Sequence, residues 1–179
     1  MRITLALIVL LLGTGAHAQD GDHRHLDVSI QFSGFDIQNL TTTGGPNTTL
    51  AKGFDLGAAW YPSRNIALVG DFGYHHISDS KGAFSATTIM GGPRYWSGEH
   101  YRLSCYGQLL FGAARLRQDG GFNPGTYWKG TAALGGGIEV RITDRIVLRP
   151  IAIDEMLIGL GRDALGSGRV GTGIVYLMR

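Results

Sequence analysis

Alternation of apolar and polar side chains is the feature that most constrains how this chain folds. Residues 133–150 read ALGGGIEVRITDRIVLRP, in which Leu134, Ile138, Val140 and Ile142 alternate with Gly135, Gly137, Glu139 and Arg141. A period of two belongs to β-strands, because successive side chains of a strand point to opposite faces of the sheet. This segment therefore predicts a strand with one apolar face and one polar face.

About eight such segments follow one another between residues 25 and 178. Glycine lies inside them as well as in turns, and its 29 copies among 179 residues are about twice the usual fraction. Glycine weakens an ordinary strand unless the sheet bends or backbones approach closely, so the composition favours a curved, closed sheet. We expect β-bulges near Gly34, Pro93 and Pro150, where the alternation changes phase.

The connections between these segments divide into two predicted kinds. Longer polar loops are expected at residues 39–51, 77–84, 117–127 and 159–167, and tight turns at 62–65, 97–100 and 143–145. Their alternation along the chain is typical of bacterial outer-membrane barrels, which have short periplasmic turns and longer extracellular loops. The sequence thus predicts an all-β fold, an eight-stranded antiparallel up-and-down transmembrane β-barrel.

The N-terminal residues predict export. Arg2 precedes the apolar run 3–12, and Ala16-His17-Ala18 supplies small residues for a signal peptidase, so we expect a signal peptide at 1–18 and a barrel domain at 19–179. No later run approaches the roughly 20 apolar residues of a membrane helix. Cys105 is the single cysteine, and a net charge of +2 without a basic patch gives no indication of nucleic-acid binding.

Aromatic residues form two predicted girdles, one at each membrane interface. The girdle at the short-turn end comprises Trp60, Tyr61, Tyr95, Trp96, Tyr101 and Tyr176. The girdle at the long-loop end comprises Phe35, Phe54, Tyr74, Phe84, Tyr127 and Trp128. Strand ends in soluble sheets also collect aromatics through β-propensity, which is the alternative interpretation.

Four stretches carry a resemblance: IMGGPRYW, YGQLLFGAAR, ALGGGIEVRITDRIVLRPIAID and GTGIVYLM. Over roughly residues 88–178 the chain resembles the OmpA-like small outer-membrane β-barrel family. The resemblance implies insertion in the outer membrane of a Gram-negative-type cell. It also implies outer-membrane lipids, including lipopolysaccharide, and the insertion machinery as partners. The terminal YLMR departs from the aromatic ending usual in such barrels.

A barrel with its apolar faces toward lipid places the polar faces in the lumen. The candidate lumen charges are Asp55, Asp71, Arg94, Glu139, Arg141, Arg149 and Asp154. Eight strands enclose a space that side chains just fill, and unpaired buried charges are costly. We therefore expect a lumen plugged by ion pairs. The alternative is a small or gated ion channel through the same residues.

Two other site hypotheses and one other fold assignment are weaker. His75-His76 beside Ser78 and Asp79 suggests a lipid-modifying enzyme, but neighbouring strand residues face opposite ways and no orienting group is evident. A metal site from Asp20, Asp22, His23 and His25 is less expected than a solvated tail. A secreted soluble barrel would bind an apolar ligand. It would have to bury Asp55, Asp71 and Glu139 or expose the Leu, Ile, Val and Trp side chains to water.

These observations together predict a monomeric outer-membrane barrel with a structural or surface-interaction role. We expect no catalysis, no cofactor and no metal. The loops near 39–51 and 117–127 are the expected carriers of specificity, because binding residues concentrate on loops held by a rigid scaffold. Their partner is not indicated by the sequence.

Overall fold

The computed structural model describes residues 24–37, 50–79, 82–119, 125–159 and 164–178. The expected signal peptide, most of the histidine- and aspartate-containing tail and most of the first loop lie outside this part of the chain. None of the described residues forms a helix long and apolar enough to cross a membrane.

The described residues form eight strands in one closed antiparallel barrel, which confirms the predicted fold. Their bounds are β1 Leu26–Asp36, β2 Leu50–Trp60, β3 Ile66–Asp79, β4 Gly82–Trp96, β5 Leu103–Asp119, β6 Gly125–Arg141, β7 Ile146–Ile158 and β8 Leu165–Met178. Each strand pairs with its neighbours in sequence, and β8 closes the barrel against β1. We call the end that carries the β1–β2 connection the loop end, and the end with both described chain termini the terminal end.

Side chains alternate between the outer wall and the lumen along every strand. In β1, for example, Ile30 and Phe32 are 56% and 69% exposed on the outer wall, whereas Gln31 and Ser33 are buried inside. Apolar side chains cover the wall and buried polar side chains fill much of the lumen, which is the reverse of a soluble protein. Buried apolar residues also close the loop end of the lumen, among them Phe35, Phe84 and Ile158.

Two of the four predicted long loops are wrong, those at 77–84 and 117–127. Strands occupy most of both ranges and leave connections at 80–81 and 120–124, whereas most of the expected loops at 39–51 and 159–167 do connect strands. Strands β5 and β6 each have 17 residues, more than the roughly 9–11 that cross a bilayer. Small and polar residues fit these segments because a strand beyond the bilayer needs no apolar outer face. The β3–β4 and β5–β6 hairpins therefore extend past the others as a wall, which we call the raised wall.

Of the three expected bulges, only the one near Pro150 exists. The register of β7 shifts against β8 between Arg149 and Ala152, and against β6 between Ile138 and Val140. Gly34 keeps an unbroken register with both neighbouring strands. Pro93 keeps it against β3, and against β5 the pairing omits Gly92 and Pro93 but resumes in the same register, so both bulge predictions are wrong. The side chains that face the lumen change from polar to apolar after Gly34, because Phe35 and Ile37 follow Gln31 and Ser33 on the same side of β1.

Candidate functional site

Arg169 on β8 is the centre of a buried charge cluster in the lumen. Its Nη1 donates to Asp55 Oδ1 at 2.6 Å and to Asp71 Oδ1 at 2.9 Å. Its Nη2 donates to Asp154 Oδ2 at 2.7 Å. One guanidinium thus holds three carboxylates supplied by β2, β3 and β7. Together with β8, which carries Arg169, the cluster links four strands across the barrel. Its hydrogen bonds join charged groups and are therefore stronger than bonds between neutral groups.

Neutral and charged side chains extend this cluster on both sides. The Ser33 hydroxyl donates to Asp55 Oδ2 at 2.5 Å and lies 2.7 Å from His75 Nε2, whose ring stacks on Phe35. On the other side, Gln108 donates to Asp154 Oδ1 at 2.9 Å. The Gln108 Oε1 in turn accepts from Arg94 Nη2 at 2.6 Å. We call Arg169, its three carboxylates and these neighbours the loop-side network.

A second cluster lies nearer the terminal end, and we call it the terminal-side network. Glu139 on β6 accepts from Arg149 Nη2 at 2.8 Å and from Arg24 Nη1 at 2.9 Å. Arg24 Nη1 also donates to Asp27 Oδ2 at 3.1 Å. Arg24 precedes β1, so the chain leading into the first strand supplies a charge to the lumen. Burial acts to lower the pKa of Arg24, but Glu139 and Asp27 outweigh it and raise the pKa above its ordinary value.

Tyr106 on β5 joins the two networks. The guanidinium of Arg94 lies 4.4 Å from its ring centroid, and that of Arg149 lies 4.5 Å from it. Both distances are typical of cation–π contacts. Contacts therefore run through the lumen from Arg24 near the terminal end to Arg169 near the loop end. The lumen contains mutually compensating charges, as burial of ionised groups requires.

The structure places six of the seven predicted lumen charges in these networks. Asp55, Asp71, Asp154 and Arg94 belong to the loop-side network, and Glu139 and Arg149 to the terminal-side network. Arg141 does not join them: it pairs with Glu99 at 2.5 Å and is half-buried. Its position explains this, because Arg141 is the last residue of β6, where the lumen opens at the terminal end.

Sequence reasoning missed the residue that holds the loop-side network together. Arg169 alternates with Val170 and Thr172 and therefore faces inward, a signal that the pattern carried. Arg24 gave no such signal, because it precedes the first alternating segment. Gln108 and Ser33 were on the polar faces of their strands, but alternation alone does not say which polar residues meet across a lumen.

The predicted girdle residues divide into outer and inner positions. Large exposed side chains on the outer wall or at the barrel ends are Phe54, Trp60, Tyr74, Tyr95, Tyr101, Tyr127, Trp128 and Tyr176. Phe35 and Phe84 are instead buried in the lumen, which corrects their assignment. They occupy the inward register of β1 and β4, so alternation excludes contact with lipid.

Tyr61 and Trp96 also require correction. Tyr61 is only 5% exposed, and its ring meets that of Trp96 edge-on at a centroid distance of 6.4 Å. Trp96 has the inward register of β4, and the Arg24 guanidinium lies 4.3 Å from its ring centroid. Burial, together with the charge of Asp27, raises the pKa of Tyr61 to about 12, so its hydroxyl remains neutral. Both rings line the terminal end of the lumen and do not belong to a girdle.

The weaker site hypotheses find little geometric support. His75 faces the lumen and contacts Ser33, whereas His76 faces outward. The side chain of Asp79 lies outside the described residues, as do Asp20, Asp22 and His23 of the suggested metal tail. Within the described ranges, no group of three or more His, Cys, Asp or Glu residues is placed to hold a metal ion.

An apolar outer wall around a charged lumen defines a transmembrane β-barrel. Ile30, Leu56 and Ile153 are 56%, 44% and 55% exposed, and such side chains surround the closed sheet. A continuous apolar surface of this extent is unfavourable in water and suits the hydrocarbon of a bilayer. In a soluble ligand-binding barrel, the apolar side chains would face the lumen and the charged side chains would face the solvent.

Solved structures of small outer-membrane barrels share this fold. The N-terminal β-barrel domain of Pseudomonas aeruginosa OprF matches 87% of this chain and 100% of its own, with a TM-score of 0.62 and 14% identity. Neisserial surface protein A matches 86% and 96%, with a TM-score of 0.61 and 12% identity. Ail, the attachment invasion locus protein of Yersinia pestis, matches 88% and 100%, with a TM-score of 0.58 and 17% identity. No protein-family model and no curated protein sequence matches the chain.

The comparisons agree with the resemblance seen in the sequence at the level of fold. The chain has the fold of the small eight-stranded outer-membrane barrels, as predicted.

Proposed function

We propose that this protein is a closed outer-membrane scaffold that conducts no ions and displays its loop end outside the cell. The observation that carries the proposal is the pair of charge networks bridged by Tyr106, because they fill the lumen with side chains from all eight strands and from Arg24. In this proposal the barrel anchors a surface for contacts and performs no catalysis. Outer-membrane lipids surround its wall.

The energetics of the lumen support closure. An ion entering the loop-side network would have to displace Arg169 from its carboxylates, and breaking a buried pair costs several kcal/mol, on the order of 3–5. Phe35, Phe84 and Ile158 add a buried apolar layer beyond the network at the loop end. Apolar groups cannot replace the water that an ion loses on entering such a layer.

The shape of the two ends supports the orientation. The connection at 37–49 is the longest, and it lies at the loop end together with the raised wall. Outer-membrane barrels place longer connections outside and short turns in the periplasm. Tyr127 and Trp128 are 49% and 63% exposed near the tip of the raised wall. Aromatic side chains are enriched in protein–protein interfaces, so the raised wall is the proposed interaction surface.

Export through a signal peptide at residues 1–18, folding by the insertion machinery and a monomeric state complete the proposal. Cell fractionation followed by a gel of unheated and boiled samples tests the location. An outer-membrane band whose mobility changes on boiling is expected, because folded membrane barrels often resist mild detergent. A freely soluble periplasmic protein would contradict membrane insertion.

Single-channel recording in planar lipid bilayers tests closure. We expect the folded wild-type protein to leave the current at its baseline, while a known porin gives steps in the same bilayers. Reproducible unitary currents from the folded protein would reject the closed scaffold and favour the small or gated ion channel. The mobility of the unheated sample shows in each preparation that the barrel is folded.

A further inference from the structure

An apolar groove crosses the outer wall where the barrel closes. It has a volume of about 370 Å³ and spans β7, β8, β1 and β2. Its lining includes Phe32, Gly34, Leu50, Pro150, Ile151 and Val170. The networks in the lumen make no use of these outward-facing groups. The groove is therefore a feature of the surface that faces lipid.

Two local features of the sequence produce this groove. The bulge of β7 turns Pro150 and Ile151 outward together, so the regular alternation is interrupted on the wall. On β1, Gly34 occupies an outward position without a side chain. A Cβ there would lie 3.0 Å from the side-chain carbons of Leu50, which shows that Leu50 borders the space directly.

A cation, Lys52, borders the groove on its β2 side, near the loop end of the barrel. Lys52 belongs to its lining, pairs in register with Gly34 on one side and lies beside outward-facing His76 on the other. Lys52 forms no ion pair with any described residue. Ser85 follows His76 in the same row, so the imidazole of His76 lies between the positions of Lys52 and Ser85. An apolar groove bordered by a cation that makes no ion pair with a described residue matches a molecule with an alkyl chain and an anionic head.

We propose that this groove binds one lipid A moiety, with an acyl chain along Gly34 and Pro150 and a phosphate at Lys52. Acyl chains surround the groove in a bilayer, and a chain that fills it gains contacts that a flat wall does not offer. Phosphate and ammonium attract each other strongly at a partly apolar boundary. The choice of lipid A rests on the proposed orientation, in which the loop end meets the outer leaflet of the outer membrane.

Native mass spectrometry of the detergent-solubilised, folded protein titrated with lipid A tests this site. We expect one lipid A to remain bound at activation energies that remove all others, and Gly34→Leu to lower its retention at least fivefold. Gly70→Leu is the matched control, because Gly70 faces outward with nothing within 4 Å of an added Cβ. Retention in this control should equal that of the wild type.

The charge is tested by Lys52→Gln, which we expect to lower lipid A retention at least threefold. Arg145→Gln, at the exposed turn of the terminal end, should leave it unchanged. If Gly34→Leu fails to fold, Thr172→Trp fills the same groove from β8. Phosphatidylcholine and phosphatidylglycerol are titrated in parallel and should bind more weakly than lipid A.

Equal retention in Gly34→Leu and Gly70→Leu, or in Lys52→Gln and the wild type, would overturn the site. Phosphatidylglycerol retained as strongly as lipid A, with the same dependence on Gly34 and Lys52, would overturn the choice of lipid. Bilayer recordings are independent of both results, because the groove lies outside the lumen. Conduction would therefore contradict closure alone, and loss of lipid retention would contradict this site alone.

Discussion

Arg169 pairs with three buried carboxylates in the lumen, and no sequence motif indicates this role. Replacing it with methionine should destabilise the barrel by about 3–5 kcal/mol, because Asp55, Asp71 and Asp154 would lose a shared buried partner. The free energy of unfolding, obtained by urea titration of the protein in lipid vesicles with tryptophan fluorescence, measures this loss.

Asp71→Asn is the control for this prediction. Asp71 shares the Arg169 guanidinium with the other carboxylates, so an amide there retains a hydrogen-bonding oxygen and relieves some repulsion. We expect a loss of less than about 1.5 kcal/mol, the value of one ordinary hydrogen bond. Equal losses in the two variants would show that Arg169 is not the shared centre of the network.

At the scale of residues, the sequence predicts which side of the sheet a side chain faces better than it predicts which other side chain it contacts. Asp55 and Glu139 lie on the lumen side because a strand alternates, and a barrel has only two sides. That Asp55 meets Arg169 depends on the closure of β8 against β1, which no local pattern encodes. Arg24 was unpredictable for a different reason, since its position before β1 gives it no strand phase.

At the scale of elements, the number of strands was predictable and several of their ends were not. Strands β3 to β6 continue into the ranges 77–84 and 117–127, whose small and polar residues predict loops. Polarity predicts loops only when strands end at the membrane surface, and β5 and β6, with 17 residues each, are longer than crossing a bilayer requires. The Pro150 bulge was predictable because the candidate lumen charges Arg149 and Asp154 are five positions apart, whereas residues on one face of a regular strand are an even number of positions apart.

This bulge leads to a prediction about deletions. Removing Pro150 should leave a folded barrel, because Arg149 and Ala152 then stand two positions apart, as a regular strand requires for residues on one face. Both shifted registers, against β6 and against β8, become continuous with the same deletion. The heat-dependent mobility of the refolded protein on a gel measures the outcome.

Deletion of Thr172 is the matched control within a strand of unbroken register against β1. It should abolish folding, because one half of β8 would turn over and send either Arg169 or Val175 to the lipid side. Should the Pro150 deletion fail like the Thr172 deletion, the bulge would be required for closure of the barrel and not only tolerated.

At the scale of the whole molecule, the decisive property is which side of the closed sheet is apolar. The sequence indicated it, because the charged positions share one phase in most strands and eight strands leave room inside only for side chains. The buried networks and the exposed wall have the arrangement expected of a protein whose solvent is hydrocarbon. A soluble barrel with the same strand order would have its charged side chains outside and its apolar side chains in the lumen.

Leu56→Arg tests this property directly. Leu56 lies near the middle of β2 and is 44% exposed, so its replacement should cost about 2–4 kcal/mol of folding free energy in phospholipid vesicles if the wall meets hydrocarbon. Ile142→Arg is the control, because Ile142 is 53% exposed but lies beyond the terminal end of β6, where the expected cost is about 0–1 kcal/mol. In water, an arginine at either exposed position would be nearly neutral. Two small and equal losses would therefore show that the outer wall faces water, whereas a large loss at Leu56 alone would show that the bilayer surrounds it.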